Sequence, residues 1–136
     1  TLATAGLLKK ADRPLGCHVK RVFAVFQPHR YSRIAAFLED FAQAFNDADE
    51  VIVTDVYSAG EVEPPGFSAK TVANAIAAYH PHVQYCSSLE AVSAVLVERL
   101  QPGDMALFLG AGNLNRIIPD VMEPFMNAEI QAVRQA

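Results

Sequence analysis

Short apolar runs rich in β-branched residues alternate along this chain with stretches whose apolar residues recur at helical spacing. That alternation predicts βαβ units and a largely parallel sheet. The first strand is predicted over Arg21-Val22-Phe23-Ala24-Val25-Phe26, so continuously apolar that both of its faces should be buried. Ile34, Phe37, Leu38, Phe41 and Phe45 then recur with helical period, with Glu39, Asp40 and Gln43 opposite them, and Ser32 stands where an N-cap belongs. A second strand is expected over Glu50 to Asp55, followed by a loop containing Pro64-Pro65-Gly66. Ser68 should cap the next helix, whose inner stripe would be Val72, Ala75, Ile76 and Tyr79, and His80-Pro81 should stop it. Val83 to Cys86 reads as a short third strand. Ser87 with Glu90 has the spacing of a capping box and opens a helix packed through Leu89, Val92, Leu96 and Leu100. After the Pro102-Gly103 turn come the strand Met105 to Leu109, the turn Gly110-Ala111-Gly112-Asn113, and a helix carrying Leu114, Ile117, Val121 and Met122. Pro119 and Pro124 should kink or divide that last helical region. Thr1 to Lys10 also reads as helical. The fold class is therefore α/β, a Rossmann-like three-layer sandwich with helices flanking a mostly parallel sheet.

Composition narrows the picture. The chain's 136 residues make one domain, not two with separate cores, and 51% hydrophobic against 19% charged residues indicates a packed interior. No apolar run reaches membrane-spanning length, and the first residues lack a signal-peptide pattern, so neither a membrane partner nor export is expected. Two cysteines, Cys17 and Cys86, suit a reduced, cytoplasmic protein. Without a C-x-x-C or H-E-x-x-H pattern, no metal site is expected. The net charge of −4 is divided: residues 1–33 carry seven Lys/Arg against Asp12 alone, a balance of +6, whereas the rest of the chain stands at −10. An acidic body argues against a nucleic-acid partner, while a local basic cluster suits either a small anion or a solvated face.

In open parallel sheets ligands bind beyond the carboxyl ends of the strands. Three segments fall there: Gln27 to Arg33, Asp55 to Glu61, and Gly110 to Asn113. Arg30 and Arg33 are three apart at a helix start, where their guanidinium forks and the helix N–H groups suit a carboxylate or phosphate; an internal salt bridge to Asp55 or Glu61 is the competing use. His29 is an acid/base candidate or a packing residue. Asp55, Tyr57 and Glu61 could position a ligand or metal-bound water, or simply cap a turn. Gly110 and Gly112 would permit a tight turn and close approach of a ligand to the backbone. The G-x-G-x-x-N pattern has Asn115 where a dinucleotide fingerprint wants Gly or Ala, and no nucleoside-triphosphate loop occurs.

Phe26-Gln27-Pro28-His29-Arg30-Tyr31-Ser32-Arg33, Asp55-Val56-Tyr57-Ser58-Ala59-Gly60-Glu61 and Gly110-Ala111-Gly112-Asn113 together resemble the carboxy-terminal domain of the Mur ligases. Within that family they are most similar to the member that joins L-alanine to UDP-N-acetylmuramate during peptidoglycan precursor synthesis. The resemblance covers about residues 20–122, and the eight-residue block from Phe26 is its specific part. It implies that the chain is one domain of a three-domain, ATP-dependent ligase whose central domain binds ATP and Mg2+ and whose amino-terminal domain binds the UDP-sugar. The muramate carboxylate would become an acyl phosphate, the L-alanine amine would attack it, and ADP and phosphate would leave. Carried over to this chain, Arg30 and Arg33 would hold the L-alanine carboxylate and His29 would line the pocket. Tyr31, Asp55, Tyr57, Glu61, Gly110, Gly112 and Asn113 would face ligand or the neighbouring domain. No cofactor is expected on this domain alone, which should be inactive by itself. A ligase that reattaches recycled murein tripeptide and a non-catalytic, flavodoxin-like binding module are the alternatives.

Overall fold

A computed structural model describes residues 19–135, so the expected helix at Thr1 to Lys10 and Cys17 lie outside the described residues. Strand β1 (Val22–Phe26) is buried at every position and sits in the interior of the sheet. Its neighbours are β2 (Glu50–Thr54) and β4 (Met105–Leu109), and β3 (Val83–Cys86) lies beyond β2. The order is β3-β2-β1-β4 and every pairing is parallel. The chain thus moves outward from β1 to β3 on one side, then crosses back to place β4 on the other. Between β1 and β4 lies a topological switch point, where the loops leaving the two strands diverge and leave a crevice.

Helices cover both faces, as the α/β reading requires. On one face, Ala24, Phe26, Val51 and Val53 pack against Ile34, Phe45, Val72 and Ile76. On the other, Phe23, Val25 and Ile52 meet Val92, Leu96, Leu114, Ile117 and Val121. Burying the side chain of a Val, Leu, Ile or Phe is worth about 1.5–3 kcal/mol each, which makes these two layers the main source of the fold's stability.

Several local expectations are corrected. The helix expected from Ile34 to Phe45 is two short helices, α1 (Tyr31–Ala36) and α2 (Leu38–Ala42), broken at Phe37. Phe26 stacks on Phe41 with ring centroids 5.4 Å apart and packs against Phe45 at 5.3 Å; this packing turns Phe37 outward, 52% exposed. Ser32 is not the N-cap: Arg30 occupies that position without a side-chain cap, and Ser32 binds Glu61 instead. Helix α3 (Ala69–Ala77) does begin after Ser68, whose N–H donates to Thr71 Oγ1 at 3.1 Å. Tyr79 lies outside its inner stripe, exposed, with its hydroxyl on Glu39. The cap of α4 (Leu89–Arg99) is Ser88 rather than Ser87, its Oγ accepting from Ala91 N–H at 3.1 Å. Beyond β4 a 3-10 turn (Leu114–Ile117) leads into α5 (Ile118–Gln135), which runs straight through Pro124; the division falls at Ile117, and Met122 is exposed. Pro119 is accommodated because the first turn of a helix has no N–H bond to lose.

Candidate functional site

Beyond the end of β1, the pairing with the second strand continues loosely. Tyr57 N–H donates to Pro28 O at 2.8 Å, Arg30 N–H donates to Tyr57 O at 2.9 Å, and His29 and Tyr57 form an isolated parallel bridge. Their rings lie parallel, 8° apart, with centroids at 5.7 Å. This clamp holds Arg30 at φ 63°, in the left-handed region that a non-glycine residue enters only when its surroundings force it. The strain therefore sits on the residue that the sequence singles out for anion binding.

Arg30 and Arg33 are both exposed, and neither forms an ion pair among the described residues. The competing salt bridges to Asp55 and Glu61 are not made. Glu61 accepts from Ser32 Oγ–H at 2.6 Å and from Ser32 N–H at 3.0 Å, so it caps α1 from a distant loop. The Ser32 hydroxyl and backbone N–H hold the Glu61 carboxyl below the usual carboxylate range, with a smaller contribution from the Arg30 charge. The positive potential expected from this helix start is consequently taken up by Glu61, and the two guanidinium groups remain as its unpaired positive charges among the described residues.

Tyr31 is buried, and its hydroxyl donates to Glu63 Oε2 at 2.9 Å; burial, and then that carboxylate, raise its pKa. Asp55 accepts from the Tyr85 hydroxyl, and this contact is the leading cause that pushes Tyr85 up to about 12. Tyr31, Asp55, Glu63, Lys70 and Tyr85 line a small polar hollow of about 380 Å3 at the ends of β2 and β3. The sequence reading did not single out Glu63, Lys70 or Tyr85, whose partners are distant in the chain.

Glycine is required at 112 for a different reason from the one expected. Neither Gly110 nor Gly112 has positive φ, and an added Cβ at Gly112 would meet the Tyr57 ring at 2.5 Å and Gln27 Oε1 at 2.7 Å. The close approach is to the domain's own side chains. Gln27 belongs to the Phe26–Arg33 block. It is buried, its N–H donates to Leu109 O at 2.9 Å, and its Nε2 donates to Asn113 Oδ1 at 2.8 Å, joining the two walls of the crevice. A polar residue directly after five buried apolar ones was the available signal. His29, Arg30, Tyr57, Gly112 and Asn113 are thus drawn to the switch point, whereas Asp55 and Tyr31 belong to the adjoining polar hollow.

Roomier hollows lie elsewhere: about 680 Å3 at the amino edge, between Arg21, Glu50, His82 and Arg99, and about 690 Å3 in an apolar groove beside α5. At the amino edge Arg21 and Arg99 are paired with Asp104 and Glu50, whereas Arg30 and Arg33 at the carboxyl edge have no ion pair among the described residues. Among the described residues no group of three or more His, Cys, Asp or Glu is arranged to hold a metal, and no helix is long and apolar enough to cross a membrane.

Residues 3–112 match the family described as Mur ligase, glutamate ligase domain. The UDP-N-acetylmuramate–L-alanine ligase of Trichodesmium erythraeum is 54% identical over 113 residues, which is 83% of this chain and 21% of that protein. The enzyme of the same name from Gloeothece citriformis is 52% identical over 124 residues, 91% of this chain and 24% of that protein, and the one from Acaryochloris marina is 52% identical over 125 residues, 92% and 26%. The chain therefore spans about a quarter of the length of these curated relatives. With an all-parallel α/β sheet, a family match over most of its length and relatives at about half identity, the chain belongs to the Mur ligase family.

Proposed function

We propose that this domain supplies the amino-acid carboxylate site of an ATP-dependent ligase that joins L-alanine to UDP-N-acetylmuramate. The observation that carries the reading is the pair Arg30 and Arg33, exposed and without ion pairs among the described residues, in the loop and first helical turn that follow β1. Two guanidinium forks match the geometry of a carboxylate, and an exposed basic pair left without an internal partner is free for a ligand. The names of the relatives supply the substrates, and His29, stacked on Tyr57, would line the same site.

In this reading ATP and Mg2+ are held by a central domain of the full-length protein, and this domain contributes the amino-acid site. Closure of this domain over the central one would bring the gripped amino acid to the activated muramate carboxylate, a step that completes the site only when both substrates are bound. The same reading puts the reaction in the cytoplasm, where ATP and a UDP-sugar would be met.

The test is Arg30→Ala in the full-length ligase. Losing a charge-assisted contact of about 1.5–3 kcal/mol should lower kcat/KM for L-alanine roughly ten- to a hundredfold, with KM for ATP less affected. Unchanged constants for L-alanine would remove Arg30 from the site. The 136-residue chain assayed alongside should neither hydrolyse ATP nor ligate, and turnover by it would refute this division of labour.

A further inference from the structure

We infer that the Asn113 side-chain amide is a ligand-binding donor for an oxygen anion at the switch point, and that Gln27 is the positioning residue that keeps this donor free. The inference rests on the proposed ligase reading and adds a third group to the two arginines.

Two facing carboxamides can join reciprocally, each donating one N–H and accepting another, and such a pairing would give Gln27 Oε1 a partner while taking up one of the two Asn113 N–H groups. That is not what is formed. Gln27 Nε2 donates to Asn113 Oδ1 at 2.8 Å, and Gln27 Oε1 is left buried without a partner. Buried polar atoms are normally satisfied, and an orphaned acceptor carries a cost that something else must offset. The single bond occupies one lone pair of Asn113 Oδ1 and leaves both N–H groups of Nδ2 without a partner among the described residues.

The arrangement has little slack. Gln27 is only 5% exposed, and its backbone N–H bond to Leu109 O extends the β1–β4 ladder by one step. The Gly110–Asn113 turn lies so close to Gln27 and Tyr57 that residue 112 has no room for a Cβ. Asn113 is therefore tethered at the carboxyl edge that also carries Arg30 and Arg33. A neutral N–H donor at the same sheet edge as two cations suits an oxygen of a carboxylate or of a phosphoryl group, the two anions that the reaction would bring together.

The decisive variant is Asn113→Asp in the full-length ligase. An Asp at 113 still accepts from Gln27 Nε2, so the tether survives, but an anionic oxygen replaces the free amide. The expected result is an unchanged thermal midpoint with kcat/KM lowered at least about tenfold. A rise in KM for L-alanine would identify the carboxylate as the partner, and a fall in kcat at saturating substrates would identify the phosphoryl oxygen. Gln27→Met, similar in volume but without the donor, should shift the same constant by a smaller factor. If Asn113→Asp keeps full activity, Asn113 binds no oxygen anion. If it lowers the thermal midpoint, its amide faces Gln27 in the opposite sense; either result overturns the inference. Arg30→Ala, measured in parallel, separates the two failures. A loss there with none at Asn113→Asp discards this inference alone, and no loss at Arg30 discards the ligase reading beneath it.

Discussion

The two ends of strand β1 carry arginines in opposite conditions. At the amino end Arg21 is closed: Nη2 lies 2.6 Å from Asp104 Oδ2, Nε donates to Oδ1 at 3.2 Å, and Nη2 also reaches Arg99 O at 3.0 Å. Its guanidinium stands 5.0 Å over the Phe23 ring, and the Asp104 side chain it meets is 1% exposed. Burial alone would raise the Asp104 pKa, but the bonds from Arg21 and from Gln101 N–H hold it below the usual carboxylate range. Nearby, Arg99 reaches Glu50 at 3.2 Å. At the carboxyl end Arg30 and Arg33 meet no carboxylate within ion-pair distance among the described residues, Arg30 is held in an unfavourable backbone conformation, and one buried acceptor goes unsatisfied. The same residue type thus serves as a brace at one edge and stands unpaired at the other. The local chemistry of an arginine does not distinguish the two uses; what it faces across the sheet does.

This contrast can be broken or sharpened in three ways. The largest effect is expected at Gly112→Ala, because the new Cβ would lie 2.5 Å from the Tyr57 ring and 2.7 Å from Gln27 Oε1. Thermal or urea unfolding of the purified chain should reveal a loss of about 1–3 kcal/mol, with displacement of the His29–Tyr57 stack visible in NMR spectra of the two rings. An unchanged stability would mean that the crevice walls are not held together as described.

Next comes a paired substitution at the two ends of β1. Arg21→Ala should cost about 1–2 kcal/mol, toward the lower end because the guanidinium side is 38% exposed, and should leave KM for L-alanine unaltered in the full-length ligase. Arg30→Gly, which removes the left-handed strain, should cost no stability and still lower L-alanine use. If Arg30→Gly destabilises more than Arg21→Ala, the roles assigned to the two ends are reversed.

The smallest effect concerns pH. Glu61 is held below the ordinary carboxylate range by Ser32, so its contribution to the start of α1 is complete above that range and is lost as pH falls through the lowered value. The Ser32 amide signal, followed by NMR on acidification, should therefore titrate with a midpoint below the value of an unperturbed glutamate. A midpoint at or above that value would show that Glu61 does not cap the helix in solution.

Much of this arrangement was legible in the chain because it follows from short-range pattern. Val22 to Phe26 could only be a strand covered on both faces, and the alternation with amphipathic stretches required a parallel sheet. The rule that ligands gather at the carboxyl ends of such strands was enough to bring Arg30, Tyr57 and Asn113 to one edge. The errors fell where distant residues overrode local preference. Ser32 had the composition of a cap but bonds Glu61, 29 residues away, and Phe37 had the spacing of a core residue until Phe41 and Phe45 took the contacts with Phe26.

What the sequence determined by itself was the set of elements, their parallel association and the residue types available for binding an anion, since hydrophobic period and turn chemistry act over a few residues. Only the tertiary structure decided which arginines were spent and which stayed free, why residue 112 must be glycine, and that Gln27 satisfies one end of Asn113 and leaves the other open. Those outcomes depend on which side chains meet across strands that are far apart in the chain. Charge pairing and steric exclusion act through such contacts, and neither has a signature in local sequence.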